Sequence, residues 1–262
     1  MQPQPPRWLY RLYNRRIAAG LEPTGRLPRH VGVITDGNRR WAKEFGQTTA
    51  DGHRAGAQRI LQFIDWCDEL GIEVVTLYVL SKENLQRSEE EVSVLGAIIG
   101  DLVDDIAGRD GCEVRLVGDL GLLPEGLRER LTAAARSSAG RENGREPARI
   151  RVNIAAGYGG RQEIVTAVRE LLREGEAAGM SLSEAIESVT EQGISEHLYT
   201  KGQPDPDLII RSSGEQRLSG FLIWQSAYTE FYFCEVYWPA FRRTDFLRAL
   251  RDYAERGRRY GK

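Results

Sequence analysis

The chain predicts an α/β fold: a single domain with a central, mostly parallel six-stranded sheet flanked by helices. Two observations carry this. Short apolar, β-branched runs alternate six times with helix-length amphipathic segments along the 262 residues, the pattern of parallel strands covered on both faces. Four of the strand-like runs also end abruptly in polar, mostly glycine-bearing turns, at residues 36–41, 81–87, 157–161 and 211–219. Ligands in open parallel sheets bind outside the carboxyl ends of the strands, so these turns are expected to share one rim.

The elements follow in order. Residues 7–21 set Trp8, Leu9, Leu12 and Ile17 among Arg7, Arg11, Arg15 and Arg16. That predicts a basic amphipathic helix within an extension of residues 1–27, favoured to pack on its own domain over touching an anionic membrane. The first strand, 30–34, runs into Asp36-Gly37-Asn38, residues suited to a sharp turn. A helix over 52–70 places Ile60, Leu61, Ile64 and Cys67 on one face, with Gly71 closing it. Strand two, 73–80, is a nearly continuous apolar run. Ser88 with Glu91 resembles a capping box for a helix reaching residue 107. Strand three (113–117), a helix (124–139) and an Arg/Glu/Gly loop (140–147) lead to strand four (149–155). Gly157-Tyr158-Gly159-Gly160-Arg161 then opens a helix through residue 172. Helical segments at 181–191 and 194–200, strand five (207–211), a short helix near 222–227, strand six (230–236) and a helix over 244–257 precede the basic tail, 258–262.

Composition narrows the function. The formal net charge is −2, from 36 Lys and Arg against 38 Asp and Glu, so no global basic field argues for nucleic acid. Cys67, Cys112 and Cys234 are widely spaced. They form neither a metal-ligand pair nor a disulfide framework, and read as reduced core residues of a cytoplasmic protein. No apolar run approaches a membrane span, and the start lacks a signal-peptide core. Membrane contact would be peripheral, through the basic helix.

The expected rim gathers Asp36, Asn38, Arg39, Arg40, His53, Ser81, Asn84, Arg87, Arg211, Arg217, Ser219 and Glu230. A strand feeding a glycine turn and a helix start converges backbone N–H groups on one point, where an anion can sit. Arginine forks suit phosphate oxygens. Asp36 would repel a phosphate unless a divalent cation lay between them, and Mg²⁺ favours one or two carboxylates plus substrate phosphates. The chemistry implied is that of a substrate with several phosphate groups. Each feature has a plainer explanation: a solvated turn with surface arginines, ion-paired Arg211 and Arg217, a helix-end Glu230. The glycine-rich turn at 157–160 lacks the full dinucleotide fingerprint. No Ser-His-Asp set stands out; His30 reads as core and His197 as a surface helix position.

Taken jointly, these segments resemble the cis-prenyltransferases, the family of undecaprenyl diphosphate synthase. The matching blocks are Asp36-Gly37-Asn38-Arg39-Arg40-Trp41-Ala42-Lys43, Gly52-His53, Ser81-Lys82-Glu83-Asn84 with Arg87, Gly157 to Arg161, Asp207 to Arg211, and Glu215-Gln216-Arg217-Leu218-Ser219. Trp224-Gln225, Glu230 and Trp238-Pro239 complete the set. The resemblance makes residues 28–262 the catalytic domain. It implies Mg²⁺-dependent condensation of isopentenyl diphosphate with an allylic diphosphate, forming a cis double bond. By the same resemblance Asp36 is the catalytic aspartate beside the metal, and Gly37 to Trp41, His53 and Arg87 cradle the allylic diphosphate. Arg211, Arg217, Leu218 and Ser219 take isopentenyl diphosphate. Ser81, Lys82, Glu83 and Asn84 border the substrates, with Asn84 assisting proton removal. Glu230 is a further metal ligand, from the same or a partner subunit. The tail Arg259-Tyr260-Gly261 matches an ending that family dimers lend across their interface, which implies a homodimer.

Departures bear on specificity. Long-chain members often have glycine at Arg39, arginine at Thr49 and an aromatic at Leu85, which leaves open what these three contribute to the allylic site. They tend to have alanine at Val79, and their stretch equivalent to 91–119 is longer. A bulkier residue 79 would narrow the apolar tunnel expected between the sheet and the helix near 90–107. The chain is most similar to actinobacterial short-chain members that make (2Z,6E)-farnesyl diphosphate from geranyl diphosphate. The alternatives are a medium- or long-chain polyprenyl diphosphate synthase, a non-catalytic subunit of the family, or a membrane-binding module built on the N-terminal helix.

Overall fold

The computed structural model describes residues 26–139 and 148–256. The N-terminal basic helix, the 140–147 loop and the basic tail lie outside the described residues. Six strands form one sheet: β1 His30–Ile34, β2 Val74–Ser81, β3 Cys112–Val117, β4 Ile150–Tyr158, β5 Leu208–Arg211 and β6 Glu230–Phe233. Their order is β3-β4-β2-β1-β5-β6. Every pairing is parallel, so the sheet expected to be mostly parallel is wholly so. From β1 the chain lays down β2, passes to the edge strand β3, returns to place β4 between β3 and β2, and then crosses to the other edge of β1 for β5 and β6. The carboxyl ends beside β1 are therefore the topological switch point, where such sheets open a crevice.

The helices are α1 Asn38–Glu44, α2 Thr49–Glu69, α3 Glu89–Ala107, α4 Glu125–Ser138, α5 Gly160–Ala177, α6 Leu182–Glu187, α7 Glu191–Ser195 and α8 Arg243–Arg256. One face of the sheet, with Val31, Val33, Val75 and Leu77, buries against Phe63 of α2, Val103 and Ile106 of α3 and Phe246 of α8. The opposite face holds a smaller cluster of Ile34, Ala155, Tyr158, Ile209, Phe221 and Leu222. Side chains buried on both faces explain why β2 and β4 show no clean polar alternation.

Several boundaries differ from the sequence expectation for identifiable reasons. α2 begins earlier, because Thr48 and Asp51 form a reciprocal capping box. The box expected at Ser88 is only half made. Ser88 Oγ accepts from the Glu91 N–H, but the Glu91 carboxylate goes to Arg87 and Arg39 instead. The helix expected near 222–227 is a run of turns, interrupted by Leu222 at φ 46°. The β6 ladder ends at Phe233, after which the carbonyls of Cys234 and Val236 accept from Gly214 and Ser213 just beyond β5.

Candidate active site

The pocket is built on the end of β1. Past Ile34 the chain turns at Asp36, whose N–H donates to Ser212 Oγ at 3.0 Å. Gly37 follows at φ 99°, and a Cβ there would lie 2.6 Å from the Tyr237 ring, so conformation and space both require glycine. α1 then starts at Asn38, seated against two glycines of α2. A Cβ at Gly52 would fall 2.3 Å from the Asn38 carbonyl, and one at Gly56 2.5 Å from Asn38 Oδ1. This close approach brings His53 to the pocket wall, near the charges of Arg87 and Arg39.

Charge at the site is organised around Asp36. Its Oδ2 accepts from Arg211 Nη2 at 2.8 Å and its Oδ1 from Arg40 Nη2 at 3.2 Å. Burial alone would raise its pKa. Hydrogen bonds from Arg211 and Ser213, with the charges of Arg211 and Arg40, outweigh that and hold it below the usual carboxylate value. Arg211 is 3% exposed and also donates to Ser219 Oγ at 2.9 Å and to the Arg217 carbonyl. Arg40 reaches Ser213 Oγ at 2.8 Å and Glu215 at 3.2 Å, and lies over the Tyr237 ring at 5.6 Å. On the facing wall Glu91 binds Arg87 at 2.9 Å and Arg39 at 3.4 Å. Ser81 and Asn84 cap each other, Ser81 N–H to Asn84 Oδ1 and Asn84 N–H to Ser81 Oγ, both at 3.2 Å. Burial, and then the charge of Arg87, push the His53 imidazole down to about 4.

The pocket, open to solvent at the rim, has a volume of about 680 Å³. Its lining contains Asp36, Gly37, Asn38, Arg39, Arg40, His53, Ser81, Glu83, Asn84, Arg87, Arg211 and Ser219, all named from sequence. Five other candidates lie outside the lining. Trp41 packs on Phe45, and Lys82 meets Tyr158 through its backbone N–H. Arg217 is exposed and paired with Glu215, and Leu218 joins the smaller apolar cluster. Glu230 opens β6 in register with Leu208 and Val31, at the amino end of the sheet, and pairs with Arg256 at 3.2 Å. It stands roughly 15 Å along the strand direction from Asp36, so one chain does not bring these two carboxylates to a common ion. The 157–161 turn is likewise absent from the lining. Tyr158 donates to Glu163 and accepts from Leu222 N–H, while Gly160 N–H donates to Gly220 O, so this turn braces the 211–222 loop from behind.

Residues missed from sequence include Thr35, Tyr78 and Leu95 in the lining, and Ser212, Ser213 and Glu91 among its supports. Ser212 and Ser213 were within reach: Ile34 pairs with Arg211, so the residues after each share the rim. Tyr78 was hidden by a bulge. Between Tyr78 and Leu80 the β2–β4 register slips, leaving Val79 unpaired. Consecutive residues of a regular strand face opposite ways; the bulge brings both Tyr78 and Val79 to the pocket. Among the described residues the non-glycine positions with positive φ are Ser213, Ser219 and Leu222, all in the loop over this rim. Such strain concentrates where a loop is held for a task.

Among the described residues no group of three or more His, Cys, Asp or Glu side chains is arranged to hold a metal. A cation here would rest on Asp36 and on phosphate oxygens of a ligand, the sparse protein coordination that Mg²⁺ accepts. The donor set fits that ion, since Asp36 is ionised and its guanidinium partners can also accept phosphate.

Fold and pocket define a class: an open parallel α/β protein whose switch-point crevice has a cationic, arginine-rich mouth and an apolar end at Val79 and Leu95. Comparison with known proteins gives the family. The family model described as putative undecaprenyl diphosphate synthase matches residues 34–261, and the chain belongs to that family. It is 54% identical to isoprenyl transferase 1 of Corynebacterium efficiens over 98% of both chains. It is 53% identical to the (2Z,6E)-farnesyl diphosphate synthase of Mycobacterium tuberculosis, over 97% of this chain and 96% of that one. The solved structure of lavandulyl diphosphate synthase from Lavandula x intermedia, in complex with dimethylallyl diphosphate, aligns with a TM-score of 0.78 at 34% identity, over 87% of this chain and 95% of that one.

Proposed function

We propose that this chain is a short-chain cis-prenyltransferase that joins isopentenyl diphosphate to geranyl diphosphate and releases (2Z,6E)-farnesyl diphosphate. The observation that carries this reading is the two-ended pocket: arginines around an ionised Asp36 at the mouth, Val79 and Leu95 within. The near-full-length identity to proteins named short-chain Z-isoprenyl diphosphate synthase and (2Z,6E)-farnesyl diphosphate synthase supports it.

Gly37 to Arg40, His53 and Arg87 take the allylic diphosphate. Arg211, Ser219 and Arg217 take isopentenyl diphosphate, with Arg217 swinging in from the surface. The allylic C–O bond breaks with its electron pair leaving on the diphosphate, where the guanidinium groups stabilise the growing charge. The isopentenyl double bond supplies the electrons of the new carbon–carbon bond, and loss of a proton re-forms the alkene. That proton passes to an oxygen of the released diphosphate, with Asn84 and Ser81 on the pocket wall assisting its removal. Asp36, together with phosphate oxygens of the substrates, would hold Mg²⁺, which when bound would supply Lewis-acid neutralisation of the leaving group. Asp36 itself keeps Arg211 and Arg40 aligned between the two diphosphates.

The assembly is a homodimer. The edge strand β6 and its approach expose Phe233 and, at 95%, Tyr228, a surface suited to a second copy. Any part Glu230 plays at the cation then comes from that partner. A cytoplasmic setting is supported by the free thiols of Cys67, Cys112 and Cys234. Among the described residues no helix is long and apolar enough to cross a membrane; contact of the basic N-terminal segment with a bilayer would be tested by liposome pelleting with and without residues 1–24.

Incubation with geranyl diphosphate, labelled isopentenyl diphosphate and Mg²⁺, followed by sizing of the product, decides the reading. A single addition, lost on chelation, is expected. A ladder of much longer products overturns the short-chain assignment, and no product from any allylic primer makes the chain a non-catalytic family member.

A further inference from the structure

Two parts of the pocket mouth that are distant in sequence meet through one carboxylate. Glu91 is the third residue of α3, where a glutamate after a Ser cap ordinarily bonds back to the cap's own N–H. Here Ser88 Oγ accepts from Glu91 N–H at 3.3 Å, and the carboxylate turns away. It accepts from Arg87 at 2.9 Å and from Arg39 of α1 at 3.4 Å. Glu89 and Glu90 beside it are exposed, while the Glu91 side chain is 27% exposed. Arg39 and Arg87 both line the pocket, on either side of the 81–91 turn and α1; Glu91 does not. An ordinary surface ion pair would contribute little. This one gives up a helix-cap bond to link two guanidinium groups whose like charges would otherwise drive them apart.

We infer that Glu91 is a positioning residue of the allylic diphosphate subsite, tying Arg39 and Arg87 together so that their remaining N–H donors meet the diphosphate already ordered. Each arginine has five donors and gives few to Glu91, so most stay available to a ligand. Ordering both side chains beforehand removes an entropic cost from binding. The inference rests on the allylic assignment proposed above.

The test is Glu91→Gln in the full chain, which keeps shape and one acceptor but loses the charge. KM for geranyl diphosphate should rise roughly tenfold, the scale of one charge-assisted hydrogen bond. KM for isopentenyl diphosphate and kcat should stay within about twofold, which general disorder of the pocket would not allow. Glu91→Asp should recover part of the loss. Calorimetry with inorganic diphosphate, which needs no turnover, should show the same weakening. Arg39→Gln in the Glu91→Gln background should cost less than it does alone, because the two act through one contact. Equal KM rises for both substrates, unchanged diphosphate binding, or tighter binding by Glu91→Gln would each overturn the inference. If Glu91→Gln does not fold, Glu91→Asp decides by the same KM split. Wild-type protein that binds neither geranyl nor inorganic diphosphate would bring down the allylic assignment itself, and the inference with it.

Discussion

The two ends of the sheet handle buried polar groups in opposite ways. Towards the amino end, a chain of side chains closes on itself. His30 Nδ1 lies 2.8 Å from the Pro204 carbonyl and Nε2 2.7 Å from Thr76 Oγ1. A carbonyl can only accept, so Nδ1 carries the proton and Nε2 accepts from the Thr76 hydroxyl. Asn153 Nδ2 then donates to Thr76 Oγ1 at 2.9 Å and to Gln203 Oε1 at 2.8 Å, and Gln203 donates back to Asn153 Oδ1 at 3.2 Å. At the carboxyl rim His53 Nε2 and Arg211 Nε, of two residues lining the pocket, are buried without a partner, as are Asn38 Oδ1 against Gly56 and, outside the lining, Gln225 Oε1; Ser213 and Ser219, at positive φ, lie in the loop over the same rim. Unpaired buried polar atoms destabilise a fold. One end is finished by its own residues, and the other is left open to a ligand.

The comparison breaks most visibly at Asp36. Asp36→Asn keeps the shape of the turn and one acceptor for Arg211, but removes the charge that aligns Arg211 and Arg40. Turnover should fall by roughly a thousandfold, while the melting temperature moves by only a few degrees. Activity within tenfold of wild type in the product assay would show that Asp36 serves the fold rather than the reaction.

Two histidines, the buried His30 and the half-buried His53, sharpen it next. Both His30 and His53 are pushed down to about 4, chiefly by burial. Below pH 6.5 the unfolded chain protonates its imidazoles while the folded chain does not. Stability is therefore fully present above pH 6.5 and declines as pH falls towards 4, by about 3 kcal/mol for a group like His30. Chemical denaturation across this window should show that slope, and His30→Gln should reduce it, with His53 supplying what remains. His53 should behave differently once diphosphate is bound: the added negative charge should raise its titration midpoint in an imidazole NMR experiment and leave that of His30 in place. A diphosphate-induced shift at His30, or none at His53, would erase the distinction between the ends.

How much of this was legible in sequence follows the same division. A mostly parallel sheet was legible in the uninterrupted apolar runs, and the shared rim in the turns that end them; Asp36, Arg40, Arg87 and Arg211 were found because their residue types declare phosphate chemistry. What escaped depends on contacts between distant segments. Glu91 reads as half of a capping box until Arg39 of α1 is placed beside it. Tyr78 reads as facing away from the residue that follows it, because a strand pattern does not announce a bulge. Glu230 looks like a rim carboxylate in sequence, and only the parallel register of β6 sends it to the far end. The amino-end network was invisible for a related reason: Thr76, Asn153 and Gln203 are unremarkable singly and become a unit only through pairing of β2 with β4.

That unit supplies a smaller test. Thr76→Val preserves volume and removes the hydroxyl shared by His30 and Asn153, leaving both a partner short. It should cost about 1–3 kcal/mol of stability and leave both KM values unchanged, the reverse of the Asp36→Asn pattern. A change in KM without loss of stability would mean that the amino-end network reaches the site.

The finest distinction lies inside the pocket, where the rim gives way to apolar wall. Val79 is the unpaired residue of the β2 bulge and lines the pocket with Leu95 of α3. Trimming it to alanine removes two methyl groups from a side chain that is already partly exposed, so stability should change by no more than about 1 kcal/mol. The freed space lies where a growing hydrocarbon would extend. Val79→Ala should therefore shift some product from farnesyl to the next longer diphosphate while total turnover stays within about twofold, read by product sizing with limiting geranyl diphosphate. An unchanged product would put the length limit at Leu95 instead, and Leu95→Ala would then be the variant that lengthens it. Either outcome separates the deep apolar wall, which sets where the reaction stops, from the charged mouth, which sets whether it starts.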